Sequence, residues 1–148
     1  MAIMLWPESI FANSVWDVLV EFGFTGTWAF SCKIPADQMR YRQTPYEDQN
    51  GHARVKVDFG INYEGDAAIA TYAVDSARIL TPTELELWTR SDDPEWRHNG
   101  QIGHVIYLKD KGRIRAFQSW LQDGTQVAKD GIYLYNHKRT PWMERCSP

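Results

Sequence analysis

The side chains that could do chemistry are scattered along the chain. No histidine or cysteine stands two or four positions from another, although protein metal ligands usually recur at such short spacings. There is also no Gly-x-Ser-x-Gly elbow and no glycine loop for phosphate. We therefore predict no catalytic residue, no metal site, no cofactor and no enzyme activity. The four histidines are His52, His98, His104 and His137.

The sequence predicts that two neighbouring strands each point one polar side chain inward, where the pair could bind a ligand. Alternation over 102–108 places His104 on the same side as the aliphatic residues, and alternation over 113–121 places Gln118 beside Trp120. A buried histidine and glutamine among rings would orient a ligand in an apolar pocket. Two alternatives stay open: the pair satisfies itself in a plain core, or a β-bulge turns His104 outward.

The aromatic content, 14%, is the most unusual feature of the composition. Large rings pack well on strands and fill the interior of small barrels. Rings that cluster outside would instead indicate a partner surface; the candidates for that role are Trp88, Trp96, Tyr107, Tyr133 and Tyr135. The predicted ligand-binding residues are Trp28, Phe30, Phe59, Tyr72, His104, Gln118 and Trp120.

The elements that would position these residues are mostly strands. Apolar residues at spacings of three and four predict one N-terminal helix over 8–22. From Gly26 the period changes to two, most clearly over 52–59 after the Asn50-Gly51 turn. About eight short strands over 26–136 predict an all-β, antiparallel up-and-down barrel, with an irregular tail over 137–148. The length of 148 residues indicates one domain over 1–148.

Charge and hydropathy exclude several function classes. Sixteen basic and nineteen acidic residues leave a net charge of -3, which does not favour binding to the negatively charged backbone of nucleic acid. No stretch is long and apolar enough for membrane insertion. The apolar start lacks a basic region and ends at Pro7, so no signal peptide is evident. A cytoplasmic protein and an exported one both remain open, and Cys32 and Cys146 are either free thiols or a disulfide.

The segment Gly26-Thr27-Trp28 opens the first predicted strand directly after the helix. This helix–Gly-x-Trp–meander pattern resembles the lipocalin and fatty-acid-binding-protein group of calycin barrels. The resemblance implies a barrel that the tryptophan plugs at one end, with an arginine covering the ring. The candidates for that arginine are Arg113, Arg115, Arg139 and Arg145.

Four segments carry a second resemblance, which covers most of the chain. They are 22–29 running on to Cys32, 112–115, 129–131 and 140–146. Together they resemble a group of small uncharacterised bacterial exported proteins, which have one cysteine after Gly-Thr-Trp and another at the C-terminus. This resemblance implies a periplasmic or secreted protein with a Cys32–Cys146 disulfide, and it implies no activity.

The expected function is non-catalytic binding of a small apolar or amphipathic molecule inside a calycin-like barrel in the bacterial envelope. The alternative is a protein–protein interaction or inhibitor module whose barrel is filled with side chains. A third class, an enzyme built inside the barrel, has no residue set in its favour. The protein partner that the alternative requires is unknown from the sequence.

Overall fold

The computed structural model describes residues 13–34, 41–61, 67–94 and 100–147. They form a mostly β structure, with one short helix, α1 (Val15–Phe22), and one antiparallel sheet of ten strands. Nine of these strands lie within 26–136, where about eight were predicted, and the tenth lies in the tail that was predicted to be irregular. In chain order the strands are β1 Thr27–Ala29, β2 Arg42–Glu47, β3 Ala53–Ile61, β4 Ala67–Thr81, β5 Glu84–Ser91, β6 Ile102–Asp110, β7 Arg113–Trp120, β8 Gln126–Lys129, β9 Ile132–Tyr133 and β10 Glu144–Ser147.

The helix is confirmed over its second half, but it starts later than Glu8. Ser14 is its N-cap and forms a reciprocal capping box with Asp17, which satisfies amide groups that lack partners within the helix. The left-handed Gly23 ends it, with φ 88°. Residues 8–12 of the predicted helix lie outside the described residues. Leu19 and Phe22 are buried, and α1 packs against β4.

The strands follow one another as a meander, in the order β10-β1-β2 and onward to β9. The prediction of an irregular tail is wrong at its end, because β10 pairs with β1. The ladder of the described residues runs from β10 to β9 and is not closed. One bridge joins β7 to the tail: the Ile114 amide donates to the Met143 carbonyl at 3.1 Å, and the Met143 amide returns the bond at 2.7 Å.

Alternation along the long strands separates a buried face from an outer one. In β3, Val55 and Val57 are buried while Lys56 is exposed, as predicted. In β5, Leu85 and Leu87 face the core. The buried apolar side chains gather on this inner face: Leu19, Phe22, Phe24, Trp28, Ala53, Val55, Val57, Val74, Leu85, Leu87, Tyr107, Ile114 and Met143.

The predicted faces of β6 and of the end of β7 are wrong. Val105 and Tyr107 pack toward the core, so His104 lies on the outer face. In β7 the register shifts where Gln118 pairs with Ile106 while Ala116 pairs with Tyr107. One extra residue at that bulge exchanges the two faces of a strand, which turns Gln118 outward as well.

The two cysteines form a disulfide between the segment after β1 and strand β10. Their Cα atoms are 5.3 Å apart across a sequence separation of 114. The Cys32 amide also donates to a Glu144 carboxylate oxygen at 2.7 Å. The end of the chain is therefore fixed to the beginning of the sheet. In the part of the chain that the structure describes, no helix has the length and apolarity that crossing a membrane demands.

Candidate functional site: an interior cavity

The buried face of the sheet lines a cavity of about 240 Å³ that is partly open to solvent. Strands β2 to β6 contribute most of its wall, and Phe24 and Tyr41 complete it from the segments before β1 and β2. Most of the wall is apolar, as in ligand pockets generally. The lining residues are Phe24, Tyr41, Gln43, Val55, Val57, Phe59, Tyr72, Leu87, Thr89, Val105 and Tyr107.

The polar centre of this wall is Gln43, whose residue is only 3% exposed. Its carboxamide oxygen accepts from the Tyr41 hydroxyl at 3.3 Å and from the Tyr107 hydroxyl at 3.4 Å. Its amide nitrogen lies 3.4 Å from the Tyr107 oxygen and 3.5 Å from the Met143 sulfur. The three contacts with phenol oxygens are longer than the usual 2.7–3.2 Å, so the amide could bond more closely to a ligand oxygen. The contact with the sulfur has an ordinary length, because sulfur is the larger atom.

The phenols beside Gln43 stay protonated at neutral pH. Burial is the main cause that raises the pKa of Tyr41, and neighbouring tyrosines add to it. Burial also raises the pKa of Tyr107, although its hydrogen bond with Gln43 acts in the opposite direction. The cluster therefore offers neutral donors and acceptors.

Four of the predicted ligand-binding residues lie in or near this cavity. Phe59 and Tyr72 belong to its wall. Phe30 is 47% exposed and stacks on Tyr41, with ring centroids 5.2 Å apart. Trp28 is buried behind Phe24, at a ring distance of 6.2 Å, and is not among the wall residues.

The other three predicted residues lie on the outer face, where β5, β6 and β7 run side by side. Trp88, His104 and Trp120 are directly opposite one another in register. The His104 ring stacks between the two indoles, at centroid distances of 3.7 and 4.3 Å. Its Nε2 lies 3.1 Å from a carboxylate oxygen of Glu86. Gln118 instead donates to Asp130 at 2.8 Å, so the predicted inward pair does not exist.

The wall includes residues that the sequence analysis missed. Gln43 lies in β2 and Tyr41 directly precedes that strand. Tyr107 was assigned to the outside, yet it lines the cavity. The sequence signal for its inward position is the alternation Val105-x-Tyr107. These two residues pair across the sheet with the buried Leu87 and Leu85.

A second, more polar groove of about 470 Å³ lies by the start of α1 and the β3–β4 strands. Its charged groups are already paired. Arg54 donates to both carboxylate oxygens of Asp92, at 2.8 and 2.5 Å, and Arg90 pairs with Asp75 at 3.2 Å. We favour the smaller cavity because its wall is the more apolar one and includes the buried amide of Gln43, whose contacts with the phenols are long.

Over the described ranges, no three or more acidic, histidine or cysteine side chains are grouped so that they could hold a metal ion; His98 lies outside those ranges. Comparisons with protein-family models, with curated proteins and with solved structures gave no match to this chain. The cavity must therefore be interpreted from its own chemistry.

Proposed function

We propose that this protein is a non-catalytic binding protein that takes a small apolar or amphipathic molecule into its interior cavity. The observation that carries the proposal is the apolar cavity with the buried carboxamide of Gln43 in its wall. Proteins seldom bury a polar group with only long contacts, because its desolvation is then poorly compensated. A ligand oxygen at a normal hydrogen-bond distance from the amide would compensate that desolvation better than the 3.4 Å contact with Tyr107 does.

The proposal includes a calycin-like barrel. In its favour, the meander order is uninterrupted and the Ile114–Met143 bridge brings β7 to the tail. The Arg145 guanidinium lies 4.9 Å from the centre of the Trp28 ring, which is the arrangement that the lipocalin resemblance implies. Of the four candidate arginines, Arg145 thus supports that resemblance best.

We further propose a periplasmic or secreted location, with the cytoplasm as the alternative. The Cys32–Cys146 disulfide supports export, because such bonds persist in oxidising compartments and are rare in the cytosol. The resemblance to small exported bacterial proteins points the same way.

Mass spectrometry of the protein purified from its native host tests the binding. We expect the native mass to exceed the denatured mass by one small molecule. Val57→Phe should abolish the difference, because the added ring fills the cavity. Val20→Phe makes the same change on the exposed side of α1, where Val20 is 51% exposed, and should retain the ligand. Equal native and denatured masses in the wild type would count against the proposal.

The alternative is a protein–protein interaction or inhibitor module, and the Trp88–His104–Trp120 stack favours it. Trp88 is 41% exposed, and exposed tryptophans are enriched at protein interfaces. A partner recovered by the wild type but lost from Trp88→Ser, together with equal native and denatured masses, would support this alternative over ligand binding.

A further inference from the structure

We infer that the cavity selects a small, uncharged, planar aromatic molecule with one polar group that bonds to Gln43. This inference rests on the proposed interior binding and names the class of ligand for it. Three properties of the wall support it: its charge, its incompletely satisfied amide and its shape.

The first property is the absence of charge. Among the described residues, the wall contains no Asp, Glu, Lys, Arg or His. Lys109 and Arg42, which are not wall residues, donate to the carbonyls of Phe22 at 2.7 Å and Ile34 at 3.0 Å. An ionised ligand would lose its hydration without gaining a counter-ion, and that loss is costly in an apolar site. Free fatty acids and other carboxylates are therefore poor ligands.

The second property is the amide of Gln43. Its nitrogen carries two hydrogens, and the contacts that it has are a phenol oxygen at 3.4 Å and a thioether sulfur at 3.5 Å. A hydroxyl or carbonyl oxygen of a ligand would accept a hydrogen bond from one of these two N–H groups at a normal distance. The ligand needs only one such polar group, because the hydroxyls of Tyr41 and Tyr107 already donate to the amide oxygen of Gln43.

The third property is the size of the space and its aromatic lining. A cavity of about 150 Å³ admits benzene, and this one holds about 240 Å³. That volume suits one or two fused rings rather than a long acyl chain. Five of the eleven wall residues are aromatic. Phe59 meets Tyr41 edge to face, with centroids 5.8 Å apart, and a flat ligand can extend this arrangement by stacking or edge contacts.

Calorimetric titration of the ligand-free protein at pH 7 tests the inference with four probes: 2-naphthol, naphthalene, 2-naphthoate and decanoate. We expect 2-naphthol to bind best. The two carboxylates should bind at least about tenfold more weakly, because each buries an unpaired charge. Naphthalene should be intermediate, since it fits the space and lacks the polar group.

Gln43→Leu separates the polar contact from the shape of the cavity. We expect it to weaken 2-naphthol about fivefold to tenfold, the value of one hydrogen bond, and to leave naphthalene binding unchanged. Retained naphthalene binding also shows that the variant is folded. The matched control is Gln118→Leu on the outer face, which should change neither affinity.

The outcomes separate the inference from the function on which it rests. Decanoate or 2-naphthoate binding as tightly as 2-naphthol would overturn the inference and leave interior binding in place. Equal loss of 2-naphthol and naphthalene in Gln43→Leu would overturn the proposed contact. If none of the four probes binds and the native protein retains no molecule, the proposed function itself fails.

Discussion

The guanidinium of Arg145 covers the indole of Trp28 at 4.9 Å and donates a hydrogen bond to the carbonyl of Gly23. Trp28 lies in the first strand, Gly23 ends the helix, and Arg145 lies in the last strand. One side chain thus joins the first and last strands of the chain, which are neighbours in the sheet, to the helix terminus. Arg145 directly precedes Cys146 in the chain. Both contacts act at the end of the sheet where Phe24 separates Trp28 from the cavity.

Arg145→Gln should lower the free energy of unfolding by about 1–2 kcal/mol, the combined value of a cation–π contact and a charge-assisted hydrogen bond. Arg145→Lys should recover only part of that loss, since an ammonium cannot stack on the ring and bond to the carbonyl as a planar guanidinium does. Urea unfolding at pH 7 measures both variants.

The control for this prediction is Arg78→Gln. Arg78 forms an ion pair with Glu86, but its side chain is 71% exposed, so its loss should cost less than about 0.5 kcal/mol. An Arg145→Gln variant no less stable than Arg78→Gln would show that the Trp28 contact does not stabilise the fold.

The disulfide should make a larger contribution. Replacing both Cys32 and Cys146 by serine should lower the free energy of unfolding by about 2–5 kcal/mol, because the bond closes a long loop and so restricts the unfolded chain. The β1–β10 pairing remains, so the variant should keep the far-ultraviolet spectrum of the wild type. Denatured wild-type protein should weigh two hydrogen atoms less than its dithiol form; the full dithiol mass from an oxidising preparation would refute the bond.

The pH dependence of stability should reveal the Arg54–Asp92 pair. Hydrogen bonds from Arg54 hold the pKa of Asp92 below its usual value. A lowered pKa in the folded state contributes stability above the unfolded value of about 3.9, and that stability is lost as the pH falls through the folded value. Asp92→Asn should therefore cost about 1–2 kcal/mol at pH 7 and progressively less toward pH 2.

Unfolding of both proteins at several pH values measures that difference. The comparison variant is Asp75→Asn. Asp75 pairs with Arg90, but their side chains are 46% and 44% exposed, so this variant should change the free energy of unfolding little at any pH. A constant penalty for Asp92→Asn from pH 7 to pH 2 would contradict the prediction, because it would come from packing and not from ionisation.

The sequence was informative wherever one face of a strand was clearly apolar. Val55 and Val57 alternate with charged residues, so the strand and its buried face could both be predicted. Leu85 and Leu87 alternate with glutamates and identify the next example. The helix pattern was correct around Leu19, but apolar spacing does not show where α1 starts, which depends on the capping box of Ser14 and Asp17.

The residues that line the cavity could not be predicted from the periodicity of the sequence. Strand β6 is apolar on both faces, with Ile106 on one side and Val105 and Tyr107 on the other. Alternation alone cannot say which side is buried. The bulge that turns Gln118 outward leaves no local sequence signal, and the β1–β10 pairing joins residues at opposite ends of the chain.

The Trp88–His104–Trp120 stack on the outer face, here called the outer stack, provides the last prediction. A change there should lower stability without weakening ligand binding. His104→Ala removes the middle ring between Trp88 and Trp120, and also the contact with Glu86. Glu86 keeps its ion pair with Arg78. We expect a loss of about 1–2 kcal/mol in unfolding free energy from the two ring contacts.

The same variant should bind 2-naphthol within about twofold of the wild type, because distant sites act independently and His104 lies on the opposite face from the cavity. Val57→Phe should behave in the reverse way, with binding abolished. His52→Ala is the control for histidine loss, since its side chain is 76% exposed and its removal should change neither property. If His104→Ala abolished 2-naphthol binding without unfolding the protein, the ligand would bind at the outer stack, and the aromatic residues there would be the binding site.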